Sequence, residues 1–189
     1  MPSPMRSFDP RAVGRLECRA WETYYQRRWV PFLLASVGLV RSAFRMSWPR
    51  TLLGAWLVLR ANMVWAPYPD NDPAKARALM RRFYGLLREP GLNPFRAAEL
   101  EVEWWRVHRE HQREEGSGDA LVRALQDLYA YSYSVPPEEV RLAASLRAEA
   151  MDISDAWVEA GSRADDPMLA EERALLVRSY AALLAAVHR

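Results

Sequence analysis

The chain has one cysteine, three histidines and, among its 26 basic residues, a single lysine, Lys75. Each scarcity removes a class of explanation. Cys18 alone excludes an intramolecular disulfide and a cysteine-rich metal site, and it suits a reducing compartment. An arginine excess follows genome composition as readily as nucleic-acid recognition, so no nucleic-acid partner is expected. There is no Gly-x-Gly-x-x-Gly, Walker loop, Gly-x-Ser-x-Gly elbow or Cys/His pair suited to covalent catalysis. Nucleotide-binding and serine-hydrolase roles therefore have no support. The start, MPSPMRSFDPR, lacks the apolar core of a secretory signal, and the expected location is the cytoplasm. The longest uncharged runs, WVPFLLASVGLV (29–40) and TLLGAWLVL (51–59), fall short of the ~20 residues that cross a bilayer. Sustained period-two alternation is also missing, which argues against strands.

What remains is a helical pattern in a chain of 189 residues, half of them hydrophobic, long enough for one domain with a substantial core. Asp9-Pro10, Asp72-Pro73, Asn93-Pro94 and Asp166-Pro167 each place a capping side chain before a proline that fits the first helical position. Together with the breaks at Ser47-Trp48-Pro49, Glu89-Pro90-Gly91, Gly116-Ser117-Gly118 and Val135-Pro136-Pro137, they predict helices over about 10–28, 30–46, 49–65, 73–88, 94–115, 119–133, 137–161 and 167–188. The expected fold is an all-α, single-domain bundle of seven to eight helices spanning 1–189. Its centre is expected to be residues 51–65, whose apolar side chains cover every face.

Charge is unevenly spread. Residues 1–60 hold ten arginines against Asp9, Glu17 and Glu22, a net +7, whereas residues 61–189 carry −5. The apolar, basic N-terminal third (1–65) is expected to pair chiefly with the acidic remainder (66–189) of its own fold. Its arginine-flanked apolar runs would also suit a helical hairpin lying on an anionic membrane. FLLASVGLVRSAF is too apolar to serve as a recognition helix in a major groove.

Several polar residues fall where apolar ones are expected. Arg60 and Asn62 interrupt the 51–65 helix, and a guanidinium enclosed there requires an acidic partner. In 99–115, Leu100, Trp104, Val107 and His111 form one row at i, i+4, i+7 and i+11, and Glu101, Trp105, His108 and Gln112 form a second beside it. Glu149 lies in a stripe drawn through Leu142, Leu146 and Ile153, and Glu17 belongs to a row with Trp21 and Tyr24. The expected ligand-binding cluster is Arg60, Asn62, Glu101, His108, His111 and Glu149. Within it His108, His111 and Glu101 form a candidate set for one transition-metal ion. There is no Glu-x-x-His motif, which argues against a two-metal centre. His111 is expected inside, His108 at the rim of the same cavity, and the Tyr129, Tyr131 and Tyr133 cluster in core packing.

Two functional expectations follow. The first is a small-molecule or metal-binding helical protein, an oxidoreductase among the options, with Arg60 holding an anionic group. The second is a non-enzymatic interaction module that docks a protein partner or an anionic membrane surface through its Trp- and Arg-rich N-terminal third.

Overall fold

The computed structural model describes residues 4–113 and 117–188. After a 3₁₀ turn at Pro4–Arg6, it contains α1 (Pro10–Tyr25), α2 (Trp29–Phe44), α3 (Trp48–Trp65), α4 (Pro73–Leu87), α5 (Pro94–Gln112), α6 (Gly118–Tyr133), α7 (Pro137–Glu159) and α8 (Met168–Val187). No strand occurs among the described residues, and the chain is an all-α bundle. The expected end of the fifth helix at 114–115 lies outside the described residues.

The caps work as their chemistry requires. Asp9 accepts from the Arg11 amide at 2.9 Å, Asp72 from Lys75 at 2.8 Å, and Asn93 from Phe95 at 2.9 Å. Asp166 accepts from Met168 N at 2.9 Å, so it caps α8 although the helix begins one residue later than expected. α1 ends three residues early, because Arg27 turns into the left-handed region at φ 56°.

Each helix packs chiefly on its neighbours in sequence, and α8 returns onto α1, which closes the circuit. The closure is tight. A Cβ on Gly14 would lie 2.7 Å from the backbone nitrogen of Val177, so only glycine lets α1 and α8 approach this closely. Ser179 adds a hydrogen bond to the Ala143 carbonyl at 2.8 Å, joining α8 to α7. The start of the chain is drawn in as well: Arg6 donates to the Tyr133 carbonyl, His188 donates to the Arg6 carbonyl, and Phe8 packs against Tyr133 and Tyr180. The main core runs from Met5 to Val187.

One architectural expectation is overturned. α3 is not enclosed. Thr51, Gly54, Ala61 and Trp65 are buried, Gly54 near the Phe83 ring of α4 and Trp65 against Trp105 of α5, but Trp48, Leu52, Leu53, Trp56 and Met63 stand in solvent. α2 and α3 lean on the circuit chiefly through α1 and α4 respectively. An all-apolar helix need not be central if part of its surface is left bare.

Candidate functional site

The six residues expected to share a cavity are placed as follows. Arg60 is half-buried and forms no ion pair among the described residues; its guanidinium stacks 5.7 Å from the Trp56 ring centre. The acid it was expected to require is unnecessary, because α3 is open to solvent there. Asn62 donates to the Val58 carbonyl of its own helix at 2.9 Å. Glu101 accepts from the Tyr84 hydroxyl at 2.6 Å. Burial raises its pKa, while Tyr84, Arg147 and the Trp104 and Trp105 indoles pull it back down.

Glu149 is exposed on the outer face of α7 and meets none of the other five. His108 Nε2 lies 3.1 Å from Asp155, and His111 Nε2 lies 2.9 Å from Asp152. The order of burial is the reverse of expectation, since the His108 side chain is 18 % exposed and that of His111 27 %. Gln112 donates to the other oxygen of Asp155 at 2.7 Å, completing a polar bridge between α5 and α7. Each imidazole is oriented by its own aspartate, and Glu101 is engaged elsewhere. Among the described residues no three His, Cys, Asp or Glu side chains gather to hold a metal ion, so the set His108, His111 and Glu101 is not brought together.

The polar centre of the bundle is a different one. Arg147, on the inner face of α7, donates to Glu17 of α1 at 2.6 Å and to the Tyr129 hydroxyl of α6 at 2.9 Å. Tyr180 of α8 donates to the second oxygen of Glu17, and Arg147 also lies over the Trp104 ring of α5, 5.2 Å from its centre. The Glu17 charge offsets the cost of burying the guanidinium, and the pKa of Arg147 is pushed well above the ordinary value. Those of Tyr129 and Tyr180 also rise, chiefly through burial. The network ties four helices together, α1, α6, α7 and α8. The sequence pointed to Glu17 and Tyr129, and not to Tyr180. It missed Arg147.

A second internal acid, Glu172 of α8, is 2 % exposed, and its Oε2 has no hydrogen-bond partner. Burial, then repulsion from Glu17, raises its pKa to about 8. Nearby, Cys18 is buried against the Leu169 carbonyl, and burial pushes its thiol to about 12. It is therefore no thiolate nucleophile at neutral pH.

The outer surface of α2 and α3 carries the strongest anomaly. Of the twelve large hydrophobic side chains standing exposed among the described residues, nine lie between Trp29 and Met63: Trp29, Val30, Leu33 and Leu34 on α2, and Trp48, Leu52, Leu53, Trp56 and Met63 on α3. The two rows are continuous through a cation–π contact. Val30, Leu34, Val37 and Arg41 run at i, i+4, i+7 and i+11, and Arg41 stacks 5.2 Å from the ring centre of Trp48. Trp48 then opens the row Trp48, Leu52, Trp56 and Arg60.

Between Thr23 and Pro69 there is no acidic residue, while Arg27, Arg28, Arg41, Arg45, Arg50 and Arg60 fall in that stretch. None of these six pairs with a carboxylate among the described residues. The expected internal pairing of the basic third with the acidic remainder is thus not what these arginines do. No single helix among the described residues is long and apolar enough to cross a membrane; α2 and α3 would reach that threshold only as a pair, and their axes are bent by 118°. No family model, no curated protein and no solved structure matches the chain.

Proposed function

We propose that the protein is a peripheral membrane-docking module that lays α2 and α3 on an anionic lipid surface. The observation that supports this reading is the concentration of exposed Trp, Leu, Val and Met on two adjacent helices flanked by arginines without acidic partners. Trp29, Trp48 and Trp56 have the amphipathic rings that settle at the headgroup level, and the leucines between them would enter the boundary of the acyl chains to a depth of about 5–10 Å. Each arginine near an anionic surface contributes on the order of 1 kcal/mol, so the arginines and the apolar area act together. The anionic inner leaflet offers such a surface to a chain that stays in the cytoplasm.

Sedimentation with vesicles tests this. The protein is expected to pellet with vesicles of phosphatidylcholine and phosphatidylglycerol, to pellet poorly with phosphatidylcholine alone, and to be released by salt. Leu53→Ser and Trp56→Ser should abolish pelleting while leaving the fold intact, since both side chains already face water. If the protein stays in the supernatant with every vesicle, and the same substitutions instead dissolve a homodimer seen by analytical ultracentrifugation, the face binds protein and the membrane reading fails.

A further inference from the structure

α2 and α3 present their apolar face differently from a free amphipathic helix, because their other side is filled by protein. Ala35 and Val40 of α2, and Gly54, Leu57 and Ala61 of α3, are buried. α2 rests chiefly on α1, and α3 chiefly on α4. Both seats are close: a Cβ on Gly38 would lie 3.2 Å from the Leu16 side chain, and one on Gly54 3.3 Å from the Phe83 ring. The two axes are bent by 118° at the break between the helices. The apolar side chains are thus carried on two fixed axes of different direction, and neither helix is free to roll or sink by itself.

Charge on this pair is sparse. From Trp29 to Trp65 the charged residues are Arg41, Arg45, Arg50 and Arg60, all of one sign. Three of the four are held by the protein: Arg41 stacks on Trp48, Arg60 stacks on Trp56, and Arg45 donates to the Ser7 carbonyl at 3.2 Å. Against them stand nine bare large apolar side chains, three of them tryptophan. Anionic lipid attracts such a face, but burial of apolar area dominates its hold. Binding of that kind is sensitive to the room between headgroups.

Building on the docking reading, we infer that the face is matched to a strongly convex anionic membrane rather than a flat one. Side chains that enter from one side expand the headgroup layer of one leaflet only. A flat leaflet resists that expansion, whereas the outer leaflet of a small vesicle already has its headgroups spread apart. A free helix lowers the cost by rolling or by sinking to a better depth. α2 and α3, seated on the bundle, insert Trp29, Leu34, Leu53 and Trp56 together, so they gain most where the gaps already exist. Curvature therefore acts on the apolar side chains, and the arginines act alike on flat and curved surfaces of equal charge.

Flotation with small sonicated and large extruded vesicles of one phosphatidylcholine/phosphatidylglycerol mixture, compared at equal outer-leaflet lipid, tests this. The protein is expected to partition several-fold more strongly onto the small vesicles. Leu34→Ser, at a side chain 71 % exposed, should fold and should narrow that ratio. Arg50→Gln should weaken binding to both sizes by the same factor and leave the ratio intact. Equal partition onto both sizes overturns the inference and leaves docking standing. A ratio that Arg50→Gln erases and Leu34→Ser does not also overturns it, since curvature would then act through charge. Failure to float with either size defeats the docking reading, and the preference for curvature falls with it.

Discussion

Glu172 shows how far a single residue can depart from its sequence setting. In the unfolded chain it loses its proton near 4.5, but in the folded protein only near 8, because burial and the charge of Glu17 oppose ionisation. The folded state therefore holds an extra proton between those values, and stability falls as pH rises through that window. At about 1.4 kcal/mol per unit, the penalty at pH 8 is on the order of a few kcal/mol. Glu172→Gln should accordingly stabilise the protein at pH 8 far more than at pH 5, as read by urea unfolding; equal effects at both pH values would show that Glu172 is ionised throughout. Nothing in the sequence marks this acid, since the Glu171-Glu172-Arg173 run reads as solvated charge. Glu17 and Glu101 were legible because each sits in a row of large aromatic side chains. His108 and His111 were legible as inward-leaning, but the aspartates that hold them come from α7, and spacing along α5 carries no information about a partner helix.

At the scale of the element, helix starts were readable and helix faces were not always so. Asp-Pro and Asn-Pro junctions act locally, so they fix a boundary whatever the tertiary context. The phase of α7 depends on what packs against it. A stripe through Leu142, Leu146 and Ile153 places Glu149 inside, yet the buried row is Val140, Ala143, Ala144, Arg147, Met151 and Ser154, at the same spacing but rotated. Alanines permit close helix approach and contribute little hydrophobic signal, so Leu142, which stands exposed, drew the stripe off the buried face although Leu146 is buried.

Arg147 thereby replaces Arg60 as the buried guanidinium. Arg147→Met alone should cost ~3–5 kcal/mol by stranding Glu17, whereas Arg147→Met with Glu17→Leu should be milder than the sum of the two single changes. Additive effects in that thermal cycle would remove the pair from the core. Arg60→Leu, which breaks only a surface stack on Trp56, should cost no more than about 1 kcal/mol. Where α1 meets α8, Gly14→Ala sets two terms against each other. Alanine favours a helix by ~1 kcal/mol. A Cβ 2.7 Å from a backbone nitrogen forces the helices apart, a strain of typically ~1–3 kcal/mol or more. Backbone cannot swing aside as a side chain can, so the melting temperature should fall; a rise would mean that the α1–α8 contact is looser than described.

Over the whole molecule, polarity and apolarity are partitioned in an unusual way. The closed circuit of helices buries the Arg147 guanidinium, the acids Glu17, Glu101 and Glu172 and the hydroxyls of Tyr84, Tyr129 and Tyr180, while it leaves three tryptophans and a run of leucines bare on α2 and α3. The sequence disclosed the basic, apolar N-terminal third but not whether it lay inside or outside, because an all-round apolar helix reads alike in a core and at a membrane. The structure packs α1 into the bundle and leaves the outer faces of α2 and α3 exposed. Membrane docking by that surface is the central claim, and depth measurement by spin labelling tests it directly. Cys18 is buried with an unreactive thiol, so a cysteine introduced at Leu53 or, as a control on the far side of the circuit, at Glu149 can be labelled alone. On phosphatidylcholine/phosphatidylglycerol vesicles, the label at 53 should gain access to oxygen and lose access to a water-soluble nickel chelate, and the label at 149 should not change. Unchanged accessibility at 53, or equal changes at both positions, would contradict docking through α2 and α3.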